Sequence, residues 1–217
     1  MKNFNAACLI GDYYHDPVSV EGMLRPILES IGIQGVFFTN QEAFPWTKLG
    51  DYDFVLIAKE ARAEPGTSNV LWSTEKTEDA LANWVQNGGR LFALHNGLSS
   101  YTTEGIYSHL VRGRFLFHPQ EHPRFRIRET STGGPTLEGF KSFEIEDEMY
   151  FVFVDSANTE VILQTWSPDY GSSAAAWRHR VGSGRVFCYT VGHKAAVLAN
   201  EAHRAVITRG FEWLSTH

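Results

Sequence analysis

The chain has 217 residues, 43% of them hydrophobic, which suits one large domain with a real core. Its formal net charge is −6 and its lysines and arginines form no long stripe, which argues against nucleic acid as a partner, because that role needs a clustered basic footprint. The two cysteines, Cys8 and Cys188, each sit inside an apolar run and read as buried thiols of a reduced compartment, not as a disulfide framework. No stretch is long and apolar enough to span a membrane, and Met1-Lys2-Asn3-Phe4-Asn5 leads straight into a strand without a signal-peptide pattern. The expectation is one domain over residues 1–217, cytoplasmic, either an enzyme or a binding protein.

Ala6-Ala7-Cys8-Leu9-Ile10 is a continuous apolar run stopped by Gly11-Asp12, as in a strand covered on both faces. Val20, Met23, Leu24, Ile27, Leu28 and Ile31 then recur at helical spacing; Asp16 or Ser19 caps this helix and Gly32 ends it. Pro26 inside it removes a backbone bond and predicts a bend or a delayed start. Strands are predicted at Ile33 to Phe38 and at Tyr52 to Ala58, followed by a polar loop that contains Pro65-Gly66. A second helix opens at Thr74, with Thr77, Ala80, Leu81, Trp84 and Val85 on one face, and stops at Gly88-Gly89. Arg90 to Leu94 is the next buried strand. This alternation predicts an α/β fold with a mostly parallel sheet.

Beyond His95 the pattern changes to short strand-like pieces around Arg114–His118, Phe125–Glu129, Phe143–Glu146, Phe151–Val154, Val161–Thr165 and Ala174–Trp177. Turn-prone Ser131-Thr132-Gly133-Gly134-Pro135 separates two of them. A β-rich extension is expected in the second half. Gly182-Ser183-Gly184 turns into the apolar Arg185 to Val191, and a helix capped near Asn200 closes the chain.

The chemistry is expected where strands end, since open parallel sheets bind ligands outside their carboxyl ends. Leu94-His95-Asn96-Gly97 has the spacing of a nucleophile elbow with His95 at the apex, where serine or cysteine would be usual. A helix starting after His95 would bring a positive dipole to that apex. His15, His118 and His193 also follow strands, and Glu146-Asp147-Glu148 supplies carboxylates. Imidazoles with a carboxylate suit acid–base work or a divalent metal such as zinc, although no local zinc motif is present. His109, His122, His179, His203 and His217 read as surface or structural residues.

Several of these segments occur in an order that resembles a known family: Ala93-Leu94-His95-Asn96-Gly97, Gly113-Arg114-Phe115 with Phe117-His118-Pro119, Asp147-Glu148-Met149-Tyr150, and Gly182 to Tyr189 followed by Gly192-His193. His15-Asp16 and Gly210-Phe211-Glu212-Trp213 belong to the same pattern. The set resembles the trehalose-utilisation (ThuA-like) proteins of the class I glutamine amidotransferase-like superfamily. That resemblance implies a flavodoxin-like three-layer sandwich, with His95 where amidotransferases carry cysteine, so thioester-based glutamine hydrolysis is not expected. It also implies a small-molecule carbohydrate as partner. The expected function is a carbohydrate enzyme acting on a disaccharide or keto-glycoside, hydrolytic and metal-assisted. His95, Glu148 and His193 are its expected catalytic residues, and His95, His118, His193 and Glu148 the expected ligands of a metal, zinc first. His15, Asp147, Tyr150, Trp177 and Asn96 are expected against substrate, the aromatic rings because they pack well on sugar C–H surfaces. The alternative is a non-catalytic binding or regulatory protein on a fold that has lost its nucleophile. An aromatic surface around Phe115–Phe125 suits either a homodimer contact or packing inside the β-rich region.

Overall fold

The structure is a computed structural model that describes residues 4–130 and 139–216; the turn expected at residues 131–135, and His217, lie outside the described residues. Strand β1 (Phe4–Ile10) feeds helix α1 (Pro17–Ser30), which returns the chain to β2 (Ile33–Phe38) beside β1 in parallel register. Asp16 caps α1 by accepting from the backbone N–H groups of Val18 and Ser19. The helix runs through Pro26 unbroken. Pro26 is exposed, so the carbonyl of Gly22 that it leaves without a donor opens to water instead of being stranded in the core.

Strand β3 (Phe54–Ala58) joins the other side of β1, and helix α2 (Glu75–Gln86) leads to β4 (Arg90–Leu94), parallel to β3. Thr74 and Thr77 close a capping box at the start of α2, which takes Thr77 out of the apolar stripe. Beyond β4 come a short helix, α3 (Ile106–Val111), then β5 (Gly113–Phe117), β6 (Arg124–Glu129), β7 (Phe143–Glu146), β8 (Phe151–Val154), β9 (Glu160–Ser167), β10 (Gly171–Val181) and β11 (Gly184–Tyr189). Helices α4 (Ala195–Leu198) and α5 (Glu201–Ser215) follow.

The main sheet has nine strands in the order β2-β1-β3-β4-β11-β10-β9-β6-β7, and β5 pairs with β8 separately. This corrects the expectation of a mostly parallel sheet. The five strands from β2 to β11 are parallel, while β10, β9, β6 and β7 continue the same sheet antiparallel. The reason lies in the connections. A parallel return needs a crossover of a dozen or more residues, whereas β9 to β10 and β10 to β11 are tight turns that permit only antiparallel neighbours.

Two apolar layers sandwich the parallel strands. Ala6, Cys8, Ile10, Phe54, Leu56 and Phe92 pack under α1 and α5. Ala7, Leu9, Val55, Ile57, Leu91 and Ala93 pack under α2 and α3. Both faces of β1, β3, β4 and β11 are therefore buried, which is why these strands read as apolar runs, whereas β2 at the sheet edge is only partly covered. Cys8 and Cys188 are buried free thiols within those layers.

Candidate active site

The site forms where β1, β4 and β11 end. Strand β4 stops at Leu94, and His95–Leu98 make a single 3-10 turn. His95 has φ of 44°, a left-handed conformation unusual for a non-glycine residue and the kind of strain that collects at functional turns. Gly97 lets the turn sit directly on β3: a Cβ there would lie 2.1 Å from the Ile57 carbonyl oxygen. The helix expected after His95 is absent. The turn is four residues long, Ser100 is left-handed in its own right, and the next helix starts only at Ile106, so no helix dipole acts on His95.

Ligand atoms of His15, His95, His193 and Glu148 all lie within 4.8 Å of one another. His15 sits in the loop after β1, His193 in the loop after β11, and Glu148 in the segment between β7 and β8. His15 donates from Nδ1 to Asp12 Oδ1 at 2.7 Å, and His95 donates from Nδ1 to the Thr190 carbonyl, also at 2.7 Å. Both acceptors lack a proton to give, so each neutral ring has its lone pair on Nε2, facing the cluster. His15 Nε2 lies 3.0 Å from His193 Nδ1. Glu148 Oε2 lies 3.4 Å from His95 Nε2 and 3.6 Å from His193 Nδ1. At 3.4 Å the His95–Glu148 contact is an ion-pair approach, not a hydrogen bond, and the buried His95 Nε2 has no hydrogen-bond partner among the described residues.

The electrostatics couple Glu148 to the imidazoles around it. Burial alone would push His95 down, but the Glu148 contact and the Asp147 and Glu148 charges outweigh it, and its pKa is raised. Burial would push Glu148 up, yet its contact with His95 and the nearby His193 and His118 hold it at about 2. His193 is lowered to about 4, chiefly by burial. Zinc takes imidazole nitrogen and carboxylate oxygen at ~2.0–2.2 Å, which places two ligands of one tetrahedral ion ~3.4 Å apart. The spacing of these four residues suits such an ion once His193 Nδ1 gives up the proton it donates to His15 Nε2, and the Asp12–His15 pair supplies the carboxylate that commonly orients a ligating histidine.

Other expected residues fall elsewhere. His118 faces the opposite oxygen of Glu148, with Nε2 3.5 Å from Oε1, so His15 replaces it in the inner group. Asp147, expected against substrate, is fully buried and accepts from the backbone N–H groups of Gly192, His193 and Lys194; it fixes the loop that carries His193. Asn96 is buried and donates to Asp12 Oδ2 (2.6 Å) and the Ala58 carbonyl, which also makes it a positioning residue. Trp177 is fully buried between β10 and α3, donating from Nε1 to the Val111 carbonyl, and does not line the site. Tyr150 is buried with its ring stacked on His95, centroids 4.3 Å apart, so it walls the cluster instead of presenting a face to a sugar.

Two residues escape sequence reasoning. Asp12 reads only as the end of a strand. His122, expected at the surface, has Nε2 3.7 Å from Glu148 Oε1. His118 and His122 approach the same oxygen of Glu148, and each is followed by a proline. His109 is exposed and His179 is buried on the α3 side of the sheet, while His203 is buried directly beneath the cluster, bonded to the Tyr189 hydroxyl.

The family described as Trehalose utilisation (ThuA) matches residues 8–214. Among solved structures, a putative ThuA-like protein from Parabacteroides merdae superposes with a TM-score of 0.77 at 15% identity, covering 99% of this chain and 91% of its own. One from Bacteroides uniformis gives a TM-score of 0.74 at 14% identity, covering 98% and 91%. A protein of Salmonella typhimurium described as cytoplasmic gives 0.71 at 11% identity, covering 98% and 99%. At these identities the likeness is one of fold. No curated protein sequence matches the chain significantly.

Proposed function

The chain belongs to the trehalose-utilisation (ThuA) family, and from that premise we propose that it is a carbohydrate-metabolism enzyme that hydrolyses a disaccharide or keto-glycoside derivative with the help of a divalent metal, zinc first. The observation that carries the reading is the convergence of His15 Nε2, His95 Nε2, His193 Nδ1 and one oxygen of Glu148, in which His193 Nδ1 donates to His15 Nε2 and would give up that proton to a bound ion. An ion held there supplies Lewis-acid polarisation of a substrate oxygen. The protein's own groups do the rest. Asp12 and the Thr190 carbonyl hold the His15 and His95 rings with Nε2 inward, and Asp147 holds the His193 loop. Glu148 stays ionised and His193 stays neutral near pH 7.

The thiols take no part in this reading. Cys8 and Cys188 lie within strands, and burial pushes both pKa values up, away from nucleophilic character. The order β2-β1-β3-β4-β11, with helices on both faces, supports a flavodoxin-like three-layer sandwich as the parent architecture of the parallel half. A cytoplasmic setting is part of the proposal. It is supported by the description of the Salmonella neighbour, and no helix among the described residues is long and apolar enough to cross a membrane.

The test is the metal content of tag-free protein by elemental mass spectrometry, with His95→Ala and His193→Ala beside it, followed by a turnover screen on keto-sugars. A near-stoichiometric transition metal in the wild type, lost from both folded variants, and turnover that follows metal loading are expected. A wild type that takes up no metal when supplemented and turns over no keto-sugar overturns the proposal in favour of a binding protein.

A further inference from the structure

Glu148 is approached on both of its oxygens. The inner oxygen, Oε2, faces His95 and His193, while the outer oxygen, Oε1, faces His118 Nε2 at 3.5 Å and His122 Nε2 at 3.7 Å. His118 donates from Nδ1 to the Pro119 carbonyl at 2.6 Å, so its neutral ring turns a lone pair, not a proton, toward the carboxylate. Neither contact is at hydrogen-bond distance. Glu148 Oε1 and the two imidazoles form a looser set than the inner four: the His118 and His122 ring centroids are 6.2 Å apart, and each ring reaches the same carboxylate oxygen. The backbone supports the arrangement: His118-Pro119 and His122-Pro123 place a proline after each histidine, which restricts the residue before it and limits how far either ring can drift.

We propose that Glu148 is a bridging carboxylate between two divalent-cation positions, an inner one with His15, His95 and His193, and an outer one formed by Glu148 Oε1 with His118 and His122. The outer position rests on the inner reading given above, because a bridge needs both ends. Paired ions in hydrolytic sites stand ~3.5–4 Å apart, a separation one carboxylate spans. The two positions differ in access. The His118 and His122 side chains are 31% and 27% exposed, against 6% for His15 and 1% for His95. The outer ion is therefore the exchangeable one and faces the approaching ligand. With three protein ligands it keeps open positions, and neighbouring hydroxyl or carbonyl oxygens of a sugar are a matching chelate.

The experiment is a zinc and cobalt titration of chelator-stripped, tag-free protein by calorimetry, with elemental analysis of the product. It uses the wild type, the His118→Ala/His122→Ala double variant and His95→Ala, each checked by circular dichroism. Two ions per wild-type chain are expected, one of them lost in the folded double variant while the other binds as before. The dicobalt wild type should show magnetic coupling that the double variant lacks. One ion per wild-type chain, unaffected by the double substitution, overturns the outer position and leaves the inner one standing. No ion in the wild type overturns both. Two ions in the double variant, or loss of both, also overturns the outer position, because the second ion would then lie elsewhere or share the first ion's ligands. The wild-type stoichiometry decides the matter even if the double variant fails to fold.

Discussion

Asp12 governs the site from one residue behind it. Its Oδ1 accepts from His15 Nδ1 and from the backbone N–H groups of Tyr14 and His15, and its Oδ2 accepts from Asn96 Nδ2 and the Glu60 N–H. One carboxylate thus ties the ends of β1, β3 and β4 together. Burial would raise its pKa, but the His15 bond and charge, with Asn96 and Glu60, hold it below the usual carboxylate range, so it is ionised at neutral pH. Asp12→Asn keeps the shape but replaces one acceptor oxygen with a donor, which must then face either His15 Nδ1–H or the Asn96 and Glu60 N–H groups. Metal affinity is expected to fall about 10–100-fold, the usual cost of losing the carboxylate behind a ligating histidine. Competition against a chelating dye reads this directly, and an unchanged affinity would mean that His15 needs no orienting partner. The same residue marks where sequence reading stops. His118 and His193 are legible because each follows an apolar strand abruptly, His95 because it sits at an elbow-like turn, and His15 because it falls in the loop after the first strand. The bonds of Asp12 reach 48 and 84 residues along the chain, so nothing local announces them. Residue type also misplaces Asp147 and Asn96, since a polar side chain at a strand end serves a backbone loop as readily as a substrate.

At the scale of elements, the elbow depends on backbone approaching backbone. A methyl group at Gly97 would lie 2.1 Å from the Ile57 carbonyl oxygen, and neither partner is a flexible side chain, so β3 and the turn would have to separate. Gly97→Ala is expected to destabilise the fold by about 1–3 kcal/mol or more, as overpacking does, and to move His95 off the cluster. Gly22 is the control. It lies in α1 with nothing within 4 Å of the added methyl, and Gly22→Ala should stabilise by roughly 1 kcal/mol through helix propensity. Urea unfolding of the two variants should shift in opposite directions; equal shifts would remove the elbow's special standing. This contrast also explains which elements the sequence reveals. β1, β3, β4 and α1 announce themselves by apolar runs or helical spacing, because burial on both faces or on one stripe is a local pattern. The pairing of β9 with β6, and the placement of β11 beside β4, come from contacts between distant segments, and those leave no periodic trace. The missing helix after His95 belongs to the same class, because its turn is fixed by contact with Ile57 and not by the residues that follow it.

Across the whole molecule, buried neutral histidines set the response to acid. His179 donates from Nε2 to the Leu110 carbonyl on the α3 side of the sheet, and His203 lies under the site with Nδ1 3.3 Å from the Tyr189 hydroxyl. Burial lowers His179 to about 4 and His203 to about 3, and lowers the half-buried His193 to about 4. An unfolded chain binds these protons near pH ~6.5, so below that pH the unfolded state holds more protons than the folded one. The stability they protect is therefore complete above about pH 6.5 and is lost as pH falls toward their folded values, at up to roughly 1.4 kcal/mol per pH unit for each histidine. His95 opposes them, since its raised pKa contributes stability below its unfolded value and loses it as pH rises. Glu148, held at about 2, adds a loss of the same sign as the three histidines but only below the unfolded carboxylate value of about 4.3, so above that pH the histidines act without it. Urea unfolding of chelator-stripped protein from about pH 7.5 down to about 4.5 should show stability falling steadily within the histidine window. His179→Gln and His203→Gln should each flatten that slope whatever they do to absolute stability. A wild-type profile that stays level between about pH 6.5 and about 4.5 would mean that these rings take up protons in the folded state as readily as in the unfolded one, and that the layers around them admit charge.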